Sequence, residues 1–379
     1  MKKIIFCYTV PSTFIFTTDI ITILKDKGYK VILMSSNEQE LMEVAKSLNV
    51  DFVFFDFTRE FSIYRDLATL IKMINLLRKL KPEIVIGATP KSALISMMAS
   101  KFVGVNHRIY HILGLPYETA TGIKKTILLL VEKLTSFCAT RIVPISSSVS
   151  KEYEIKFKFT KNIFHNIGLL SIAGVDLKKF DNNRFVFIKD QIKKDIGIQN
   201  NYFIIGFVGR LTVDKGVGDF IALWNGIKKK YDKVAVMIIG DTDSRDGFDQ
   251  NLLNVFFEDQ NVFHFAKTNE VEKYMSIMDV FVLPSYREGF GNVIIEASSM
   301  KVPVVSYNVT GCKDSVKDGF SGILVEKNNI NSLISAVSYF IDYPSEKEKF
   351  GDQGRSYVEK YFSRYNIALN FVKFINNLK

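Results

Sequence analysis

The chain has 379 residues, 47% of them hydrophobic and 24% charged, with a formal net charge of +10. That length exceeds one ordinary domain and suits two, and the lack of low-complexity tracts, repeats and long Pro/Gly/Ser linkers excludes disordered and repeat architectures. Cys7, Cys138 and Cys312 are odd in number and far apart, and His107, His111, His165 and His264 form no H-x3-H pair, so neither a disulfide framework nor a metal-ligand spacing is present.

Met1–Tyr8 carries a charged pair and an apolar run too short for a signal peptide, and reads as a first strand. Strand-like runs follow near 3–10, 30–35, 51–56, 83–87, 107–112 and 141–145. Helix-like runs lie between them near 14–27, 38–48, 63–81, 90–103, 121–138 and 147–157. Strands separated by helices imply crossovers and a mainly parallel sheet covered on both faces. Gly168–Phe180 reads as an interdomain connection. Strands near 203–208, 234–239, 261–265, 279–283, 303–306 and 323–325 then repeat the scheme, and Tyr361–Lys379 closes the chain with a helical pattern.

The charge is uneven. Residues 1–170 hold 23 Lys and Arg against 14 Asp and Glu, and residues 171–379 hold 27 against 26. No zinc finger, aromatic RNA-binding signature or helix-turn-helix pattern accompanies the basic half, so no nucleic-acid partner is expected. An anionic membrane surface fits better, at about 1 kcal/mol per well-placed cation. Two segments combine cations with apolar stripes: 71–81, with Lys72, Arg78, Lys79 and Lys81, and 124–141, with Lys124, Lys125 and Lys133. Each also fits an ordinary helix packing its stripe on a sheet. No run approaches the ~18 apolar residues of a membrane span. The expected location is the reducing cytoplasm, peripherally on the inner face of the cytoplasmic membrane.

The residues with chemistry cluster late. Phe203–Val208 reads as a strand ending in Gly209-Arg210, and Asp214-Lys215-Gly216-Val217 opens a helix running to about Tyr231. Arg210 and Lys215 thus flank one loop at the C-terminal end of a strand, where open parallel sheets bind ligands. A guanidinium fork and a mobile ammonium together hold a diphosphate without a metal. Farther on, Asp279–Pro284 reads as a buried strand, Ser285–Asn292 as a glycine-bearing turn and Val293–Met300 as a helix. Unpaired N–H groups and the helix dipole at such a start favour an anion. Glu288 and Glu296 add carboxylates for a ligand rich in hydroxyls, and the combination points to a nucleotide-sugar.

Residues 203–325 resemble the C-terminal, donor-binding domain of the retaining glycosyltransferases with the GT-B fold, family 4 (group 1). The E-x7-E spacing of Glu288 and Glu296, Gly209-Arg210 with Lys215, and Leu283-Pro284-Ser285 carry the likeness. Thr89-Pro90-Lys91 and Gly114–Lys124 resemble the branch acting on lipid-linked bacterial surface glycans, among them capsule, O-antigen and lipid-linked oligosaccharide transferases. The resemblance implies an α/β fold of two Rossmann-like doubly wound domains facing a central cleft. Residues 1–170 form the acceptor-binding domain, 171–360 the nucleotide-sugar domain, and 361–379 a helix returning to the first.

It further implies a hexosyltransferase moving a hexose or N-acetylhexosamine from a UDP-sugar to a polyprenyl-diphosphate-linked glycan with retention and no metal. The transition state resembles an oxocarbenium ion, with negative charge growing on the departing diphosphate. Arg210 and Lys215 contact phosphate, helped by N–H groups of the Gly289, Phe290, Gly291, Asn292 and Val293 turn. Glu288 holds the donor sugar, Glu296 reaches the ribose, and Gly209 completes the donor loop. On the acceptor side stand Ser12, Thr13, Lys91 and Glu118, with His111 orienting or deprotonating the acceptor or simply packing in a strand. Asp241-Thr242-Asp243 spells a metal-binding pattern in a place where this family holds no metal. Three alternatives stay open: a soluble transferase with a non-lipid acceptor, a nucleotide-sugar epimerase, and a non-catalytic nucleotide- or glycan-binding protein.

Overall fold

The computed structural model describes residues 1–57, 63–165, 174–242 and 248–378. The chain divides into two compact units, residues 1–174 with 364–379, and residues 175–363. The sequence placed these divisions at 170/171 and 360/361, and the first part of the expected connection, residues 168–173, lies outside the described residues. The observed division has a local cause. Val175 N donates to Phe362 O at 2.8 Å, and Val175 bridges Ser363, so the segments entering and leaving the second unit run side by side.

The first unit contains strands β1 (Lys3–Cys7), β2 (Lys30–Ser35), β3 (Asp51–Phe54), β4 (Ile84–Ala88), β5 (His107–Ile112) and β6 (Arg141–Pro144). Its helices are α1 (Thr18–Asp26), α2 (Glu38–Leu48), α3 (Ile63–Leu80), α4 (Pro90–Val103), α5 (Gly122–Cys138) and α6 (Ser147–Lys156). The strands are parallel in the order β3-β2-β1-β4-β5-β6. Central β4 is buried along its whole length, as a sheet covered on both faces requires. β1 ends at Cys7, short of the expected residue 10, because the chain turns at Pro11 into a 3-10 segment, Pro11–Thr17. A proline offers no N–H to continue a ladder. The closing helix, Arg364–Asn376, completes this unit's core: Ala368, Phe371, Val372 and Ile375 join Phe6, Tyr8, Phe14, Ile86 and Ile109. Arg364 Nε meets Asp19 Oδ2 on α1 at 3.0 Å.

The second unit repeats the plan. Its strands are β7 (Phe203–Val208), β8 (Val234–Ile239), β9 (Val262–Phe265), β10 (Val280–Leu283), β11 (Val304–Tyr307) and β12 (Gly322–Val325). They are parallel in the order β12-β11-β10-β7-β8-β9. The helices are α7 (Lys189–Asp195), α8 (Val217–Ile227), α9 (Gln250–Phe257), α10 (Val271–Met275), α11 (Asn292–Ser299), α12 (Cys312–Ser315), α13 (Ile330–Asp342) and α14 (Pro344–Tyr361). Counted within each unit, the strand order is the doubly wound 3-2-1-4-5-6. It places a topological switch between β1 and β4 in the first unit and between β7 and β10 in the second.

Candidate active site

The carboxyl ends of β7 and β10 meet at the second unit's switch point, where a doubly wound sheet leaves a crevice for a ligand. Two loops close on each other there. Gly216, with φ +70°, lies against the Pro284 carbonyl so closely that any Cβ would overlap it. Tyr286 N donates to Asp214 O at 2.9 Å, and Arg287 Nη2 meets Asp214 Oδ2 at 2.6 Å. The loop after β7 is therefore tied to the turn after β10 by backbone and side chain together. That tie brings Lys215 Nζ to 2.5 Å from Glu288 Oε1, which also accepts from Ser285 Oγ at 2.8 Å. The two charged side chains are only 22% and 12% exposed. A third loop braces Glu288 from behind. Glu288 N donates to Thr310 O at 3.0 Å, and Gly311, φ +85°, leaves room where a Cβ would sit 2.5 Å from Glu288 O.

Gly291, φ +77°, then starts α11 at Asn292. The Phe290 ring is buried against Phe362, 5.1 Å between centroids, so at this turn Phe290 offers its backbone and not its side chain. Asn292 Oδ1 is enclosed without a hydrogen-bond partner among the described residues, as is Thr212 Oγ1 in the Lys215 loop. Buried polar atoms are ordinarily satisfied, so Asn292 at the start of α11 marks a place for a polar ligand or water. Val293 sits half-buried in the first turn of α11.

Glu296 follows one turn later. It retains some accessible surface, but protein surrounds its carboxyl group, and burial pushes it up to about 7. The positive charge of Lys179 works against that shift and the negative charge of Glu272 adds to it. Lys179 Nζ lies 3.5 Å from Glu272 Oε2. At the end of β7, Gly209 N donates to Ile239 O at 2.9 Å and Arg210 is exposed. Asp241 Oδ1 accepts from Lys267 N at 3.0 Å, so this carboxylate shapes the loop after β9, and Asp243 lies outside the described residues.

The acceptor-side expectations fall in the first unit, and the structure treats them unequally. Ser12 is exposed and Thr13 half-buried in the 3-10 turn after β1. At the switch between β1 and β4, Thr9 Oγ1 and Thr89 Oγ1 share a hydrogen bond of 2.7 Å, and Thr89 Oγ1 lies 2.8 Å from Ser92 Oγ. Thr89 has φ +68°, an uncommon conformation for a β-branched residue, and this hydroxyl chain holds it there. Lys91 is 5% exposed and its ammonium lies 2.7 Å from Asp66 Oδ1, so it already faces a carboxylate. Glu118 is half-buried in the turn Pro116–Glu118. His111 is fully enclosed, 6.2 Å from the Phe371 ring, with neither ring nitrogen hydrogen-bonded among the described residues. Burial pushes its pKa down to about 3, so the imidazole stays neutral. A role in deprotonating an acceptor requires His111 to be uncovered, and the enclosure instead favours packing.

Sequence reading missed Ser285, Thr310, Asp214 and Arg287, which set the position of Glu288 and Lys215. Only the short spacing of Ser285 to Glu288 carried a local signal, and the other contacts join distant segments.

Two family models match the chain: glycosyl transferases group 1 over residues 188–357, and glycosyl transferase 4-like over residues 3–146. The capsular polysaccharide biosynthesis glycosyltransferase CapM of Staphylococcus aureus is 33% identical over 364 residues, covering 96% of this chain and 93% of its own. The UDP-Gal:alpha-D-GlcNAc-diphosphoundecaprenol alpha-1,3-galactosyltransferase of Escherichia coli is 29% identical over 285 residues, covering 74% and 71%. In fold, the chain is similar to Anabaena HepE, solved in complex with UDP, with TM-score 0.82, 15% identity and full coverage of both chains.

Proposed function

This chain belongs to the group 1 glycosyltransferases with the GT-B fold, a family that includes capsule and lipid-linked glycan transferases, and we propose that it transfers a hexose or N-acetylhexosamine from a UDP-sugar to a polyprenyl-diphosphate-linked glycan with retention of configuration. The observation that carries the reading is the Lys215–Glu288 contact at the carboxyl ends of β7 and β10, beside the start of α11. As the glycosidic bond to the diphosphate breaks, charge grows on the phosphate oxygens. Lys215, Arg210 and the N–H groups of Gly289–Asn292 oppose that charge, the first part of a site built for the leaving group. Glu288, freed from Lys215 when phosphate replaces it, accepts hydrogen bonds from donor-sugar hydroxyls. Glu296 holds the ribose. Two cations serve where a divalent ion would, so no metal is required.

The acceptor assignment draws on the E. coli relative, whose name specifies a diphosphoundecaprenol-linked substrate. The first unit supports it through α5. Ile123, Ile127, Leu130, Leu134 and Phe137 recur at helical spacing, and all are exposed, Ile123 at 80% and Phe137 at 67%. Lys124 and Lys133 flank this stripe, and Glu132 on the opposite face is buried. An unpacked apolar stripe with flanking cations suits the interface of an anionic membrane. α3 differs, because Met73 and Leu77 enter the core and only Tyr64, Leu67 and Ile71 remain exposed among its large apolar residues whose side chains are described. No helix among the described residues is long and apolar enough to cross a membrane.

A screen of UDP-sugars against polyprenyl-diphosphate-linked acceptors, read by mass spectrometry, tests the proposal. It predicts a product heavier by one hexose or N-acetylhexosamine. Release of free sugar or an isomerised donor with every lipid-linked acceptor would refute it.

A further inference from the structure

The second unit carries an apolar tip that the donor site does not use. Phe185 is buried and anchors a 3-10 turn, Asn182–Phe185, and Ile192 is buried and anchors α7. Between these anchors Val186, Phe187 and Ile188 stand out from the surface, 51%, 97% and 45% exposed. Three consecutive exposed apolar residues, one a fully projecting aromatic ring, are costly in water.

The surrounding charge says what covers them. Residues 176–195 hold six cations, Lys178, Lys179, Arg184, Lys189, Lys193 and Lys194, against four carboxylates, Asp176, Asp181, Asp190 and Asp195, and of the cations Lys179 is paired with Glu272. Residues 171–379 as a whole are almost balanced, so this stretch is a local exception. Immediately behind the tip, Lys189 and Lys193 line a cavity of about 430 Å³ together with Lys301 and Lys347. Asp279 and Val302 at its wall precede β10 and β11, which sets the cavity at the opposite end of the sheet from Glu288. Acids also line it, and two are engaged: Asp279 with Lys347 at 2.7 Å and Asp352 with Lys301 at 2.8 Å. Asp190 and Glu348 complete the acidic lining. Lys193 Nζ donates to Asn200 O at 3.1 Å. The Lys189 ammonium is held below its usual range by burial, with Lys193, Lys347 and Lys301 adding to the effect against Asp279. An anion entering beside Lys189 relieves that crowding.

We propose that the Val186–Ile188 tip and the Lys189/Lys193 mouth of this cavity form a docking site for an anionic lipid surface, with the apolar tip in the interface and a phosphate-bearing headgroup at the lysines. Aromatic and aliphatic side chains next to cations are the pairing that interfacial anchors use. The site lies on a different unit from the α5 stripe and stands whether or not that stripe binds lipid.

The test uses the full chain and flotation with vesicles of phosphatidylcholine containing about one-third phosphatidylglycerol. Phe187→Ser is expected to weaken partitioning about tenfold, the scale set by losing the burial of one large apolar side chain. Lys189→Gln with Lys193→Gln should weaken it about thirtyfold, and raising the salt should shrink this second effect more than the first. Turnover on a water-soluble acceptor analogue should be unchanged in both. Ile127→Ser with Leu130→Ser separates the α5 stripe: residual binding in that variant should vanish on adding Phe187→Ser. A direct readout comes from Phe187→Cys labelled with an environment-sensitive dye, since Cys7, Cys138 and Cys312 are buried. Its emission should shift to the blue with anionic vesicles and stay fixed with phosphatidylcholine alone. Parent-like flotation of both variants, or an unshifted dye, would overturn the site. So would a dimer of the parent that Phe187→Ser dissociates without changing flotation, which would assign the tip to a second copy of the chain.

Discussion

Replacing Lys215 by alanine removes an ammonium held 2.5 Å from Glu288 in a setting only 22% exposed. On its proposed role, Lys215 contributes about 3–4 kcal/mol to holding the departing diphosphate, so its loss lowers turnover roughly a hundred- to a thousandfold. The structural loss is smaller. Glu288 keeps the Ser285 hydroxyl at 2.8 Å and its backbone bond to Thr310, so the cost to stability is about 1–3 kcal/mol. Against a typical total of roughly 5–15 kcal/mol, the protein stays folded, with a melting temperature lowered by several degrees. The assay is UDP release from a UDP-sugar under saturating acceptor, with kcat and KM separated and thermal unfolding followed in parallel. Glu288→Gln is the companion variant, because it preserves the shape and the Ser285 contact while removing the charge. If the two act as one unit, the double variant loses little more than the worse single one. Turnover within about threefold of the parent in a normally melting Lys215→Ala protein would refute the assignment.

Glu296→Gln should weaken UDP binding in calorimetry while leaving the fold intact. Both Glu296 and Glu132 have carboxyls raised to about 7 by burial, so the folded state favours their protonated forms. The stability they contribute is complete below the unfolded value near 4.5 and is lost as pH rises through about 7. Unfolding temperature should therefore drop between about pH 5 and pH 8, and Glu132→Gln should flatten part of that slope. His111→Phe should retain turnover, and the parent's pH–rate profile should lack an imidazole limb, because the buried ring stays neutral down to about 3; loss of turnover in a folded His111→Phe protein would restore a chemical role. Transfer should survive excess EDTA, and loss of activity restored by manganese or magnesium would bring Asp241 and Asp243 back into consideration.

The alternation of apolar strands and helical stretches was legible because parallel strands covered on both faces are written as continuous runs, such as Ile84–Ala88. The strand–turn–helix unit after β10 was equally legible, since its strand, glycines and helix start are contiguous. Less so was what the segments do to each other. Arg287 meets Asp214 across 73 residues, and Thr9 meets Thr89 across 80, so neither contact has a local signature. α14 reads as a polar run interrupted by Gly351 and Gly354, both poor helix formers. The packing explains Gly351, because a Cβ there would overlap the Lys301 carbonyl. His111 shows the same limit from the other side. Its place near a strand end suggested chemistry, whereas Phe371, 260 residues later, helps to bury it.

The anomeric configuration of the transferred sugar tests the central claim most directly. With an α-linked UDP-sugar and a polyprenyl-diphosphate-linked acceptor, the product is isolated and its new linkage assigned by NMR. The account predicts an α linkage, formed at the face from which the diphosphate leaves beside Lys215 and Arg210. A β linkage would contradict it.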